Sequence, residues 1–314
     1  MKIVALAGGV GGAKLVDGLA QLLGPEDLSV IVNTGDDFEY LGLQISPDLD
    51  TVCYTLADLA NPVTGWGLRD ETWVSFDALA VLGGLAWFRL GDKDLATHLY
   101  RTDALRQGRK LSEITSELCQ KWGVAHSVYP MSDDPVRTIV KTRAGESLGF
   151  QEYFVHQRCE PEVIGFDFVG GENARPVAAA LAAIEQSDLV ILAPSNPWVS
   201  IAPILVVPGY LDAIRQKPVI AVSPIIGGKA LKGPAAKMYA ELGFEPSASA
   251  VANHYRDFLT GFIFDTIDAS ELEKIQRWRI IPLVTDTIMK DRPDRSRLAK
   301  EVLAFGEMVL NRSQ

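Results

Sequence analysis

Cysteine is scarce in this 314-residue chain: Cys53, Cys119 and Cys159 lie far apart and show no Cys-x-x-Cys spacing. Neither a disulfide framework nor a zinc site is expected. Positive charge is in deficit, with 30 Lys and Arg against 40 Asp and Glu and a formal net charge of −10. That excludes a broad nucleic-acid face, while a local basic cluster can still hold a small anion. No apolar run approaches the roughly 18 residues of a membrane span. The first strand begins at residue 2 and leaves no room for a signal peptide, so a cytoplasmic location is expected. His98, His126, His156 and His254 have no metal-ligand spacing and form no Ser-His-Asp order, so structural or surface roles are expected. Internal repeats and low-complexity tracts are also lacking. What is there is ordinary globular material, 47% hydrophobic and 22% charged. It suffices for one large α/β domain, or one domain with an insertion.

The densest chemical signal is Asn33-Thr34-Gly35-Asp36-Asp37-Phe38-Glu39, followed by Ser46-Pro47-Asp48-Leu49-Asp50-Thr51. Both follow an apolar stretch, Leu28 to Val32, that reads as a buried strand. Carboxylates gathered at the exit of a parallel strand suit Mg²⁺, which takes one or two carboxylates plus substrate phosphates. Asp36, Asp37 and Asp48 are the metal candidates, and Asp36, Asp37 and Asp50 the catalytic ones. The spacing does not divide base from ligand among them. Asp50 and Thr51 fall in the first turn of a helix, where a carboxylate is either a cap or a ligand.

A second signal is the N-terminus. A strand from Lys2 to Ala7 is followed by Gly8-Gly9-Val10-Gly11-Gly12-Ala13-Lys14, which opens a helix to about Leu23. Such a turn aims backbone N–H groups and a helix dipole at an anion. Gly9, Gly11, Gly12 and Lys14 are therefore phosphate-binding candidates, with tight helix–strand packing as the structural alternative. The sequence is neither a Walker loop nor a clean Gly-x-Gly-x-x-Gly, and a dinucleotide dehydrogenase fits poorly. Two further loops follow predicted strands. Ser195, Asn196 and Pro197 come after the strand Leu189 to Ala193. Gly227, Gly228 and Lys229 come after the strand Val219 to Val222. Both are nucleotide-binding candidates because ligands of parallel sheets lie beyond the strands' carboxyl ends.

The alternation of strands and helices predicts a doubly wound, mostly parallel, Rossmann-like α/β sheet. The core is expected over 1–74 and 160–314. Residues 75–159 read as a mainly helical insertion covering the site, with helices at Phe76–Phe88 and Asp94–Trp122. A hairpin pairs Arg137–Thr142 with Glu152–Val155. A helix is expected from Pro203 to Arg215.

Taken together, the Gly8–Leu15 opening, Asn33–Asp37, Ile45–Leu56, Pro194–Pro197 and Ser223–Gly228 resemble the 2-phospho-L-lactate transferase family of coenzyme F-420 biosynthesis. The likeness runs from residue 2 past residue 300, and the Gly-rich opening is of the bacterial type. The resemblance implies a Mg²⁺-assisted transfer. The ribityl hydroxyl of Fo (7,8-didemethyl-8-hydroxy-5-deazariboflavin) attacks a guanosine diphosphate ester of a three-carbon acid. A phospholactyl, phosphoenolpyruvyl or phosphoglyceryl group moves, and GMP leaves. It also implies Fo contacts at Asp50, Arg89 and Thr51, and a homodimer. The bacterial-type opening leaves the three donors open. A related gluconeogenesis-factor-like family shares the opening and the fold but binds nucleotide sugars. The Asp48–Thr51 helix separates the two.

Overall fold

The computed structural model describes residues 1–84 and 87–313. From the N-terminus come β1 (Ile3–Ala7), α1 (Gly9–Ala20), β2 (Leu28–Val32), a small hairpin of β3 (Phe38–Tyr40) and β4 (Leu43–Ile45), and α2 (Pro47–Leu56). Three helices follow: α3 (Val74–Val81), α4 (Asp92–Arg106) and α5 (Leu111–Lys121). Next are β5 (Ser127–Pro130), β6 (Arg137–Thr142), β7 (Ser147–Gly149) and β8 (Val163–Val169). The chain continues through α6 (Ala178–Gln186), β9 (Leu189–Leu192), α7 (Ala202–Val206), α8 (Tyr210–Ile214), β10 (Val219–Val222), and the two-residue strands β11 (Ile225–Ile226) and β12 (Lys229–Ala230). It ends with α9 (Ala235–Glu241), α10 (Ala248–Tyr255), β13 (Gly261–Asp265), α11 (Leu272–Gln276), β14 (Ile281–Thr285) and α12 (Arg292–Ser313).

Seven strands form one parallel sheet in the order β14-β13-β10-β9-β1-β2-β5. Its strands are apolar on both sides, as a sheet covered on both faces requires. Along β1, Val4 and Leu6 pack into one core with α6, α8 and α10. Ile3, Ala5 and Ala7 pack into the other with α1, α2 and α12. The chain leaves β1 toward β2 on one side and reaches β9 on the other. The switch point therefore opens beyond the carboxyl ends of β1 and β9, where ligands of such sheets bind. This is the doubly wound α/β architecture expected from the sequence.

Several local expectations differ. The helix foreseen over Asp94–Trp122 is two helices, because Gly108 adopts φ +83° just past α4, the left-handed conformation that ends helices. The helix expected over Phe76–Phe88 stops at Val81, and its continuation crosses 85–86, outside the described residues. Pro203–Arg215 is likewise two short helices, broken at Pro208-Gly209, since proline cannot continue the hydrogen-bond ladder. Glu152–Val155 is not a strand. It belongs to a single wide helical turn, Glu152–His156, and β6 pairs instead with β7 and β8. Finally, 75–159 is not one insertion. Ser127–Pro130 pairs in parallel with β2 at the edge of the main sheet. Its terminal proline is tolerated at an edge.

Candidate active site

Beyond Val32 the chain turns through Asn33, which is fully buried. Its Oδ1 accepts the Gly35 N–H at 2.8 Å, a turn in which an Asn side chain mimics backbone. Its Nδ2 faces three acceptors: Asp36 Oδ1 at 3.0 Å, Asp48 Oδ2 at 2.9 Å and the Val199 carbonyl at 3.1 Å. One amide thus draws together carboxylates from the β2 exit and from the start of α2. The other oxygen of Asp48 accepts the Gly9 N–H at 2.7 Å. The other oxygen of Asp36 accepts from Gln151 Nε2 at 2.9 Å.

Burial raises all three neighbouring carboxyls. Asp36 is pushed well up by desolvation, then by the charges of Asp48 and Asp37. Asp48 rises to about 6 through burial, offset in part by its bonds to Asn33 and Gly9. Asp37 rises to about 7 through burial, offset in part by the Ser46 hydroxyl (2.7 Å to Oδ2) and by Arg137. Asp37 Oδ1 is buried with no partner. Three carboxylates out of water with too few donors fit a hard divalent cation. The expected ligand trio is not equally close, however. Asp36 and Asp48 converge on Asn33, while Asp37 is held by Ser46. Among the described residues, the group of three with ligand atoms mutually within 4.8 Å is Asp50, Asp94 and His98.

That second group already has its cation. Arg101 on α4 donates to Asp50 Oδ2 at 3.0 Å through one terminal nitrogen and to Oδ1 through the other. It also reaches His98 Nδ1 at 3.3 Å. His98 Nε2 lies 3.4 Å from Asp94 Oδ2, and the Tyr54 hydroxyl donates to Asp94 Oδ1 at 2.7 Å. Burial alone would lower the Arg101 pKa, but Asp50 beside it reverses the sign. Burial pushes the Asp50 carboxyl up, against the pull of Arg101 and His98. Asp50 is therefore a buried partner of Arg101. Thr51 is buried next to it on α2. Arg89 is exposed, with its guanidinium carbon 4.1 Å from the centroid of the Trp73 ring.

The glycine loop is tight for a packing reason. A Cβ on Gly11 would collide with the Pro194 carbonyl oxygen, and one on Gly12 would lie 2.5 Å from Ser195 Oγ. The Ser195 hydroxyl accepts the Gly8 N–H at 3.1 Å and donates to the Gly8 carbonyl at 2.8 Å. Asn196 caps the helical turn Pro197–Ile201 by accepting from Trp198 N–H at 3.0 Å. Gly227 and Gly228, with φ of +56° and +73°, form the turn between β11 and β12. The Gly227 N–H faces Asp268 at 3.0 Å. Lys14 donates to the Met289 carbonyl at 2.6 Å, and its pKa is lowered by burial and by the nearby Arg295 and Lys232 charges. Lys229 is exposed. The loop lysine facing α1 is Lys232, which donates to the Thr64 carbonyl at 2.6 Å.

Asp36 and Asp37 line a cleft of about 360 Å³ between the acidic loop and the β6–β7 hairpin. Asn33, Arg101, Asp94 and Gln151 were not assigned roles from sequence. Gln151 and Arg101 carry no local signal, because each reaches the site from a remote segment. Asn33 was inside the flagged block and is the residue most readily found, since a buried Asn at a strand's end needs several partners.

A model of the family described as 2-phospho-L-lactate transferase CofD matches residues 3–302. A phosphoenolpyruvate transferase from Streptomyces griseus is 43% identical over 320 residues, covering 98% of this chain and 99% of that protein. A 2-phospho-L-lactate transferase from Methanopyrus kandleri is 41% identical over 312 residues, covering 99% of each. A solved structure of a UPF0052-family protein from Bacillus halodurans superposes with a TM-score of 0.63 at 15% identity, covering 96% of this chain and 98% of that one. This last likeness concerns the fold alone.

Proposed function

The chain belongs to the 2-phospho-L-lactate transferase CofD family, and on that premise we propose that it transfers a phospho-three-carbon-acid group from a guanosine diphosphate ester to the ribityl hydroxyl of Fo, releasing GMP, in coenzyme F-420 biosynthesis. The observation that carries the chemistry is the convergence of Asp36 and Asp48 on Asn33, beside Asp37, at the carboxyl edge of the sheet. The family match does not favour the reading as a nucleotide-sugar-binding regulator.

In this reading Asp36 and Asp48 would hold Mg²⁺. When bound, the ion would supply positive charge against the diphosphate. Asp37 accepts the proton of the attacking hydroxyl. Its free Oδ1 gives it the lone pair, and a carboxyl raised to about 7 matches a general base working near neutrality. Asn33 and Gln151 fix the orientation of Asp36, while Arg101 holds Asp50 in place. Lys14 and Lys232, on the α1 side, supply positive charge for the nucleotide ester. Catalysis is then mainly positioning and charge neutralisation, as phosphoryl transfer requires. A cytoplasmic location is part of the same proposal, since a guanosine nucleotide ester is an intracellular substrate.

The relatives named for two different donors stand at 43% and 41% identity, so the transferred acid is a matter for assay. Fo, Mg²⁺ and each of the three candidate esters are incubated with the protein, and the product is weighed by mass spectrometry. A phosphodiester of Fo from one ester supports the reading and names the donor. Absence of product with all three, together with a rise in melting temperature on adding a UDP-sugar, overturns it.

A homodimer is part of the proposal. Helix α3 has no buried residue, and Val81 and Leu82 are 88% and 84% exposed. An eight-residue helix with six apolar residues, none of them in the core, is unstable alone and reads as one that is covered. A second copy of the chain is the proposed cover, and light scattering measures the mass.

A further inference from the structure

Between α2 and α3 the chain makes a compact loop whose two ends meet. Ala60 bridges Leu68, the Asn61 N–H donates to the Gly67 carbonyl at 3.0 Å, and the Arg69 N–H donates to the Leu59 carbonyl at 2.9 Å. The ends are thereby fixed, and the tip is not. None of residues 60–68 is buried, and Val63 is 85% exposed. Among the described residues, one hydrogen bond joins 61–67 to the rest of the protein, from Lys232 Nζ to the Thr64 carbonyl at 2.6 Å. The tip lies on the glycine-rich turn: a Cβ on Gly65 would come within 2.6 Å of Val10 Cγ1 and 3.2 Å of Lys232 Nζ. Segments with so few buried contacts open at little cost in free energy.

We propose that residues 60–68 form a strap over the glycine-rich turn, with Lys232 as its catch, and that the strap closes on the phosphates of the nucleotide ester. The inference rests on the transferase reading and adds how that site is shut. Charge supplies the reason. Val10 and Lys14 stand one helical turn apart on the same face of α1. Lys14 and Lys232 each donate to a backbone carbonyl rather than to a carboxylate, and the Lys232 charge opposes that of Lys14. Two like charges thus flank the seat of the strap. A phosphate there offsets their repulsion and draws Lys232, with Thr64 behind it, onto α1. Without it the catch is one exposed hydrogen bond. The Gly9 N–H bonds Asp48 Oδ1 at 2.7 Å, so the seat adjoins a carboxylate assigned to the metal. A closed strap keeps water from the diphosphate, whose hydrolysis would compete with transfer.

GDP, which carries the guanosine and both phosphates of the donor, is the probe. Hydrogen–deuterium exchange of the peptide spanning 60–68 is followed with Mg²⁺ present, with and without GDP at a concentration that calorimetry shows to saturate each protein. In wild-type protein GDP is expected to slow this exchange about tenfold. In Lys232→Ala, saturating GDP is expected to leave it fast. Gly65→Ala, whose Cβ meets Val10, is expected to keep exchange fast as well and to raise the KM of the nucleotide ester with that of Fo unchanged. It carries the test if Lys232→Ala cannot be saturated. GDP that binds wild-type protein without slowing exchange of 60–68 overturns the strap and leaves the transferase reading standing. Equal protection in wild type and both variants does the same. Slow exchange in the free protein that GDP does not alter also overturns it, and makes 60–68 a fixed part of the fold. Wild-type protein that binds neither GDP nor Fo overturns the transferase reading and the strap with it.

Discussion

Arg101 on α4 grips Asp50 on α2 through both terminal nitrogens, and the two are buried together at 1% and 6% exposure. Removing one member of a buried ion pair strands the other charge, at a cost of about 3–5 kcal/mol. We expect Asp50→Ala to lower stability by about that amount in urea unfolding, as well as to lose activity. The double variant Asp50→Ala, Arg101→Met should recover much of the stability without activity. Equal stability of the single variant and wild type would show that the pair is not held in solution.

Stability should also respond to pH in an unusual direction. Asp37 and Asp48 have carboxyls raised by burial to about 7 and about 6, against 3.8 in the unfolded chain. Between those values the folded, metal-free protein binds more protons than the unfolded one, so stability falls as pH rises. The melting temperature of EDTA-treated protein is expected to drop by several degrees from pH 5.5 to 8, the scale set by a few kcal/mol in a chain of this size. Mg²⁺ at pH 8 should restore it. A metal-free profile that is flat or rising over this range would contradict the buried acid cluster.

The two adjacent aspartates should separate. Asp36→Asn is expected to raise the Mg²⁺ concentration needed for half-maximal rate, since it removes a hard anionic oxygen. Asp37→Asn is expected to lower kcat by about 10²–10⁴, the usual contribution of a general base, with a smaller change in the Mg²⁺ requirement. Initial rates over a Mg²⁺ titration distinguish the two. Identical shifts in both variants would merge their roles.

Lys232, not Lys229, is expected to serve the donor. Lys232→Ala should weaken the nucleotide ester by about 1.5–3 kcal/mol, as for a hydrogen bond to a charged group. Lys229→Ala, on an exposed side chain of β12, should be nearly silent. KM for the ester in each variant tests this, and the reverse order would restore the glycine hairpin as the phosphate contact.

Much of the framework was legible because it is written locally. The apolar strands and their intervening helices yield the parallel sheet through period and length alone, and the aspartate block stands at a strand's exit. Partnership was not legible. Of the four aspartates, Asp36 and Asp48 meet on Asn33, Asp37 is held by Ser46, and Asp50 pairs with Arg101, a residue 51 positions away. The glycine loops carried two readings, anion binding and tight packing, and the structure supplies a reason for the second. At Gly11 and Gly12 the lack of a side chain is required by Pro194 and Ser195. Ser127–Pro130 was hidden by brevity, being four residues that join the sheet only at its edge.

Gln151 reaches Asp36 from the far side of the β6–β7 hairpin, and the Thr138 N–H on β6 bonds the Gly35 carbonyl at 2.5 Å. The acid that faces the cleft is thus tuned by a segment more than a hundred residues away. The parallel sheet transplanted without its hairpin would keep every aspartate and lose the alignment of one. Chemistry here is not modular, and recombination between relatives would have to exchange the hairpin and the acidic loop as a matched set.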